Sequence, residues 1–308
     1  MFTQYNTVIN AISYRSYMDM AAIATATGNT ADAADFLAKA SAIKTAVNAR
    51  MWDVATGAYR DGLNADGTPV EHWAVQASVF ATAFGLADDS QAAAVASYIG
   101  TRGMVCSVYC AAFVIESLYN GDRSDIAYDL LTRTELRSWM NMIQDGAGAT
   151  AEAWDSSLKG NMTYSHPWAA SPAYNVPQGM FGIKPTTPGY GEFTVRPQPQ
   201  SVEWASVTLP TLKGRIGAAF HTAGDWTDVG VFVPGNTVAS VYVPAGASTS
   251  DHVYVDGVAA PAMRERGYLR VDGVAAGCHT LSTGSGIGPS QDQRLTAVCS
   301  TPPEVTGW

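Results

Sequence analysis

The hydrophobic period of this chain changes once, near residue 190, and that change constrains the fold more than any single motif. Upstream, Val8, Ile9, Ile12, Tyr17, Met20 and Ile23 recur at helical spacing and stop at Gly28-Asn29. A second run through Phe36, Leu37, Ile43 and Val47 follows a Thr30-Ala31-Asp32 start. Such spacing gives each helix one apolar stripe. Downstream, Val- and Thr-rich segments at 193–197, 202–209, 215–221, 228–233, 238–243, 252–255, 268–271 and 278–281 alternate with Pro-Gly, Asp-Gly and Ala-Gly turns. That rhythm is the pattern of an antiparallel β-sandwich. The chain therefore reads as a mainly α part followed by an all-β part, with the boundary near 185–191.

Within the first part, further helical patterns cover residues 73–86, 90–98, 105–119 and 124–131, with a shorter one at 136–143. Residues 53–68 carry hairpin turn chemistry, and a last helix-like piece spans 173–183. Short loops between such helices imply antiparallel neighbours. From Thr283 onward the chain reads as an irregular tail.

Composition removes several classes of function. Hydrophobic residues make up 47% and charged residues 15%, which suits a folded chain. The net charge is -9 and there is no basic stripe, which argues against nucleic acid as a partner. No apolar run is long enough for a membrane span, and MFTQYNTVIN lacks the basic and apolar regions of a signal peptide. No Gly-rich phosphate loop, GxSxG elbow or metal-ligand cluster is present, so no cofactor and no metal are expected. Cys278 and Cys299 could bridge, whereas Cys106 and Cys110, at i and i+4, read as buried thiols. With the Asn161-Met162-Thr163 sequon these point to an extracellular or periplasmic protein.

The chemistry concentrates in GATAEAWDSSLKGNMTYSHPWAASP, residues 148–172. Loops rich in Gly, Ser and Pro bury little, so ionisable and aromatic residues there face either a ligand or the end of a helical domain that they plug. A carboxylate beside aromatics is what glycoside hydrolysis requires, for acid–base work within an apolar wall. Glu152 is the leading candidate, with Trp154 two residues on, His166 in the same loop and few cations nearby to tie it up. Glu116 reads as a helix-edge residue, and Asp145 as either a loop-orienting group or a sugar contact. His221, His252 and His279 read as surface or satisfied residues of the sandwich. Trp204 and Trp226 read as packing residues, so no row of exposed aromatics is expected on the strands.

The motif Gly148-Ala149-Thr150-x-Glu152-x-Trp154-Asp155, followed by Ser165-His166-Pro167-Trp168, resembles the α-L-rhamnosidases of glycoside hydrolase family 78. AFGL at 83–86, GMVCSVYCAAFVIESLY at 103–119 and GIKPTTPGYGEFTVRPQP at 182–199 match that family in the same order. The resemblance implies part of an (α/α)6 barrel over 1–187, a C-terminal β-sandwich over 188–285 and an irregular tail over 286–308. It implies that Glu152 is the general base, activating water for inverting attack on a rhamnosyl carbon. It also implies that His166 hydrogen-bonds the sugar, that Trp154 and Trp168 line the subsite, and that Asp155 orders the loop. His72 and Trp73 approach the same cavity or, the blander reading, pack beneath it. The implied ligand is a rhamnose-containing glycoside or oligosaccharide.

The upstream segment that bears the family's general acid has no counterpart, and six to eight helices stand where a full barrel has twelve. Three expectations follow. The chain is the C-terminal part of a longer rhamnosidase, whose partner is the upstream half of the barrel. Or it is a catalytically inactive homologue that binds rhamnosides or another carbohydrate. Or Glu71 or Asp145 replaces the acid. A half barrel would also leave apolar helix faces exposed.

Overall fold

The computed structural model describes residues 3–284 and 292–300. Two compact units part between Pro172 and Ala173.

The first unit is built from helical hairpins. α1 (Thr7–Ala26) and α2 (Thr30–Arg50) pack side by side. Asn6 starts α1 by accepting from the Ile9 N–H at 3.1 Å, and Gly28, at φ 79°, makes the turn after it. α3 (Val75–Ala83), α4 (Asp89–Gly100), α5 (Val108–Asn120) and α6 (Ser124–Thr132) follow, then a short α7 (Trp139–Gln144). A reciprocal Asp88–Gln91 capping box fixes the start of α4. Between α2 and α3 the expected turn-rich segment forms β2 (Trp52–Asp53), β3 (Ala58–Tyr59) and β4 (Gly62–Leu63), with β4 pairing to β1 (Tyr5–Asn6). Tyr59 is wholly buried there and donates to Asn48 Oδ1 at 2.7 Å, tying the hairpin to α2.

α1 reverses one expectation. Thr7, Ala11, Tyr14, Ala21 and Ala24 are its buried residues, while Ile9, Ile12, Met20 and Ile23 are exposed. Small side chains allow α1 to approach its neighbours closely, and the large apolar ones are left on the outer face. Among the described residues no helix is long and apolar enough to cross a membrane.

After α8 (Pro172–Asn175) and a π-helical turn at Val176–Met180, the chain enters two sheets. One contains β5 (Lys184–Pro185), β6 (Glu192–Val195), β10 (Val238–Pro244), β13 (Met263–Glu265) and β14 (Tyr268–Val274) in the order β13-β14-β10-β6-β5. The other contains β7 (Trp204–Thr211), β8 (Gly214–Ala223), β9 (Trp226–Val233), β11 (His252–Val255), β12 (Val258–Pro261) and β15 (Gly277–Ser282) in the order β12-β11-β15-β9-β8-β7. Pairing is antiparallel except between β6 and β10, which run parallel. Ile216, Phe220, Val229, Val231, Val241, Val253 and Leu269 are fully buried and form the core of this unit.

Residues 286–291 and 301–308 of the expected irregular tail lie outside the described residues. Between them the chain is regular, forming α9 (Gln293–Thr296) and a 3-10 turn at Ala297–Cys299. Leu295 and Val298 pack on Ala219, and Cys299 is disulfide-bonded to Cys278. The apolar contact and the cross-link together hold so short a segment in place. Cys106 and Cys110 are free and buried. Trp204 and Trp226, expected to pack inward, are instead about half exposed.

Candidate active site

The loop after α7 is folded by its own polar side chains. Asp145, at the end of α7, accepts from the Ser156 N–H at 2.9 Å and from its hydroxyl at 3.0 Å. Asn141, one turn earlier, donates to the Trp154 carbonyl at 2.9 Å and to Asp155 Oδ2 at 2.8 Å. The other Asp155 oxygen accepts from the N–H and hydroxyl of Ser157. Hydrogen bonds from Ser157 and Asn141 hold the Asp155 carboxyl below its ordinary range. Asp145 and Asp155 thus spend their carboxylates on hydrogen bonds within the loop.

Trp154 departs from its expected place in the subsite. It is 2% exposed, its indole N–H donates to the Cys106 carbonyl at 2.7 Å, and its ring meets Trp139 edge-on at 5.1 Å. A ring so enclosed has no face left for a sugar. Trp154 anchors the loop to the chain entering α5.

That anchor sets the positions of Glu152 and His166. The Glu152 N–H donates to the Thr163 carbonyl at 2.9 Å, and the Thr163 N–H donates back to Glu152 Oε2 at 3.1 Å. The Thr163 hydroxyl lies 3.0 Å from His166 Nδ1. His166 is fixed from its main chain as well, donating to the Thr150 carbonyl at 2.6 Å and accepting from the Thr150 hydroxyl at 2.9 Å. Its Nε2 is buried and has no hydrogen-bond partner among the described residues. One threonine therefore links the carboxylate to an imidazole whose far nitrogen is unspent.

The expectation that Glu152 stands clear of cations is overturned. Lys159, seven residues on, makes an ion pair with Glu152 Oε1. The loop doubles back between them, which sequence spacing did not reveal. The Lys159 hydrogen bond, then the Thr163 N–H, and then the charges of Lys159 and His166 lower the Glu152 carboxyl from its usual range.

Beside His166 stands an aromatic wall. Trp168, on the 3-10 turn Pro167–Ala169, is 56% exposed and meets His166 edge-on at 4.7 Å. Tyr109 lies 5.0 Å from Trp168 and continues to Phe113 at 6.3 Å, Phe84 and Phe80. Trp168 therefore keeps an exposed ring beside His166. The sequence reading missed Tyr109, Phe113, Phe84 and Phe80. Tyr109 and Phe113 at i and i+4 on α5 were the available signal, absorbed there into an apolar helix pattern.

Residues 1–179 match the family model described as the bacterial alpha-L-rhamnosidase 6 hairpin glycosidase domain, and residues 182–254 match the bacterial alpha-L-rhamnosidase C-terminal domain. The chain belongs to the bacterial α-L-rhamnosidase family. An α-L-rhamnosidase of Alteromonas sp. (strain LOR) is 30% identical over 136 residues, which are 42% of this chain and 15% of that protein. One from Formosa agariphila is 27% identical over 135 residues, 41% of this chain and 14% of that protein. Among solved structures, α-L-rhamnosidase from Dictyoglumus thermophilum superposes with a TM-score of 0.72 at 17% identity, over 87% of this chain and 31% of that one. The Streptomyces avermitilis α-L-rhamnosidase complexed with L-rhamnose gives 0.70 at 22% identity, over 89% of this chain and 26% of that one. The matched regions thus span about a seventh of the curated rhamnosidases and under a third of the solved ones.

His72 and Trp73 are engaged at the strand hairpin. His72 Nδ1 pairs with Asp61 at 2.7 Å, the Trp73 carbonyl accepts from the Tyr98 hydroxyl, and Arg60 lies over the Trp73 ring at 5.3 Å. The His72 side chain is itself half exposed. Glu71, considered as a replacement acid, is exposed and lies 3.4 Å from Arg60. Asp145, the other, spends both oxygens on Ser156. Glu116 is half-buried on α5.

Proposed function

We propose that this chain carries the general-base wall of an inverting glycoside hydrolase that releases terminal α-L-rhamnose. The observation that carries the reading is the Glu152–Thr163–His166 relay inside the rhamnosidase motif. Glu152 would take a proton from the attacking water, and His166 Nε2 would bond a sugar hydroxyl. Trp168 and Tyr109 would offer ring faces to the C–H surface of rhamnose.

The acid is proposed to come from polypeptide beyond the matched residues. Three hairpins, α1–α2, α3–α4 and α5–α6, are described here, against six in the family's name. The exposed Ile9, Ile12, Met20 and Ile23 face of α1 is the proposed seat of further barrel helices. The Cys278–Cys299 disulfide supports an oxidising compartment, extracellular or periplasmic.

A second reading, a rhamnoside-binding homologue without hydrolysis, draws on the Lys159–Glu152 ion pair, since a carboxylate held at low pKa is a weak base. Release of nitrophenol from an aryl α-L-rhamnoside, measured for the chain and for Glu152→Gln, decides between them. Turnover abolished by the substitution supports the hydrolase. Rhamnose binding without turnover in either protein supports the binder, or a base lacking its acid, and adding the upstream half of a family member then separates those two.

A further inference from the structure

The outer face of the six-stranded sheet is divided in two. At one end α9 and the turn after it lie directly on the strands. A Cβ on Gly217 would fall 2.8 Å from Val298, and one on Gly230 would fall 2.3 Å from the Leu295 carbonyl oxygen, so glycine is required at both positions. At the other end, among the described residues, no helix covers the face. Register there sets Trp204 against His221, His221 against Asp228, and Ala223 against Trp226. Paired residues project to the same side, so both indoles stand on one face with His221 on the strand between them. Trp204 is 50% and Trp226 48% exposed.

The polar groups on this face are held in fixed orientations. Arg294 Nη1 lies 3.0 Å from His221 Nε2 and 3.1 Å from Glu203 Oε1. His221 Nδ1 lies 2.7 Å from Asp292 Oδ2. A guanidinium can only donate, so Nε2 accepts and His221 carries its proton on Nδ1, donated to Asp292. Asp228, beside it, is buried; that burial pushes its carboxyl up, against the Ser282 hydrogen bond. The heads of Glu203 and Arg294 remain well exposed.

Two flat apolar surfaces with an exposed acceptor and donor side by side suit one ligand chemistry. An indole stacks on the C–H face of a pyranose, while a carboxylate and a guanidinium take adjacent hydroxyls. The cations here are already matched by carboxylates, which leaves no positive excess for a phosphate or an anionic membrane. We propose that Trp204 and Trp226, with Glu203, His221 and Arg294, form a second, non-catalytic binding surface for a neutral pyranose oligosaccharide. It does not depend on the reading of Glu152.

The test uses the whole chain carrying Glu152→Gln, so that hydrolysis cannot contribute. It is titrated with a rhamnose-capped oligosaccharide and with xylohexaose, and the tryptophan Nε1–H resonances are followed by NMR. Shifts at Trp204 and Trp226, assigned with single Trp→Phe variants, are expected with either sugar. Affinity should fall about tenfold or more in Trp204→Ala/Trp226→Ala. If that variant does not fold, Glu203→Gln/Arg294→Gln, which keeps most of both side-chain stems, must weaken binding by itself. No indole shift with either sugar overturns the proposal. So does a dimer or a vesicle-bound form in which the same indoles become buried.

Discussion

Lys159 reaches back across the loop to Glu152 and makes an ion pair with the carboxylate of the rhamnosidase motif. Thr163 then places that same carboxylate one residue away from His166. The site is therefore a short polar relay with a cation at one end and an unspent imidazole nitrogen at the other.

Replacing Lys159 by Met should raise the Glu152 carboxyl towards its ordinary value, because the largest lowering influence is gone. The sign follows from linkage: a carboxyl depressed in the folded state stabilises above its unfolded pKa, and that contribution disappears as pH falls through the folded one. The variant should thus lose acid resistance at a higher pH than the parent. Carboxyl carbon NMR across the acid range reads this directly, and superimposable Glu152 titrations would remove the ion pair from the account.

Thr163→Val removes the hydroxyl facing His166 Nδ1 and leaves both main-chain bonds to Glu152 in place. One lost hydrogen bond is worth about 1 kcal/mol, so L-rhamnose affinity should fall several-fold with little change in melting temperature. A change in the His166 imidazole nitrogen shifts should accompany it. Unchanged affinity would mean that His166 is set by Thr150 alone.

Trp154 is predicted to matter for stability. Trp154→Ala should cost about 3–5 kcal/mol by opening a cavity. Trp154→Phe keeps most of the volume but leaves the Cys106 carbonyl without its donor, at about 1–3 kcal/mol. Urea unfolding orders the two variants. Wild-type stability in the Ala variant would contradict the 2% exposure of this ring.

Cys278→Ser should destabilise the strand-rich unit by about 2–4 kcal/mol, since the bridge closes a separation of 21 residues and holds α9 on the sheet. Calorimetry under reducing conditions should reproduce the shift in the parent and leave the variant unaffected.

The exposed stripe on α1 predicts self-association. Ile9→Glu with Ile23→Glu should shift sedimentation towards the monomer without lowering stability, because both residues are exposed on the outer face. A parent that sediments as a monomer at high concentration would count against the proposed seat.

Much of this molecule was legible before any coordinates. The spacing of apolar residues placed α2 to α6, because helical period and start signals such as Thr30-Ala31-Asp32 are local. The change to strand rhythm marked the sandwich for the same reason; Cys278 and Cys299 could only be read as able to bridge, and the structure joins them. Three short strands of the second unit, β5, β12 and β13, were missed, because segments of two to four residues carry little period to read.

The sequence by itself determined the family, the order of helices before strands, and the loop that holds Glu152 and His166. Local chemistry is enough for these, since a motif and a period are properties of neighbouring residues. Only the tertiary structure decided that Lys159 folds back on Glu152, that Trp154 is an anchor while Trp168 stays open, and that α1 turns its alanines inward. It also decided that Trp204 and Trp226, on strands separated by β8, share one face of the sheet. Each of these depends on which surfaces meet across long stretches of chain. Periodicity tells a residue which face it shares, and packing decides which of those faces is covered.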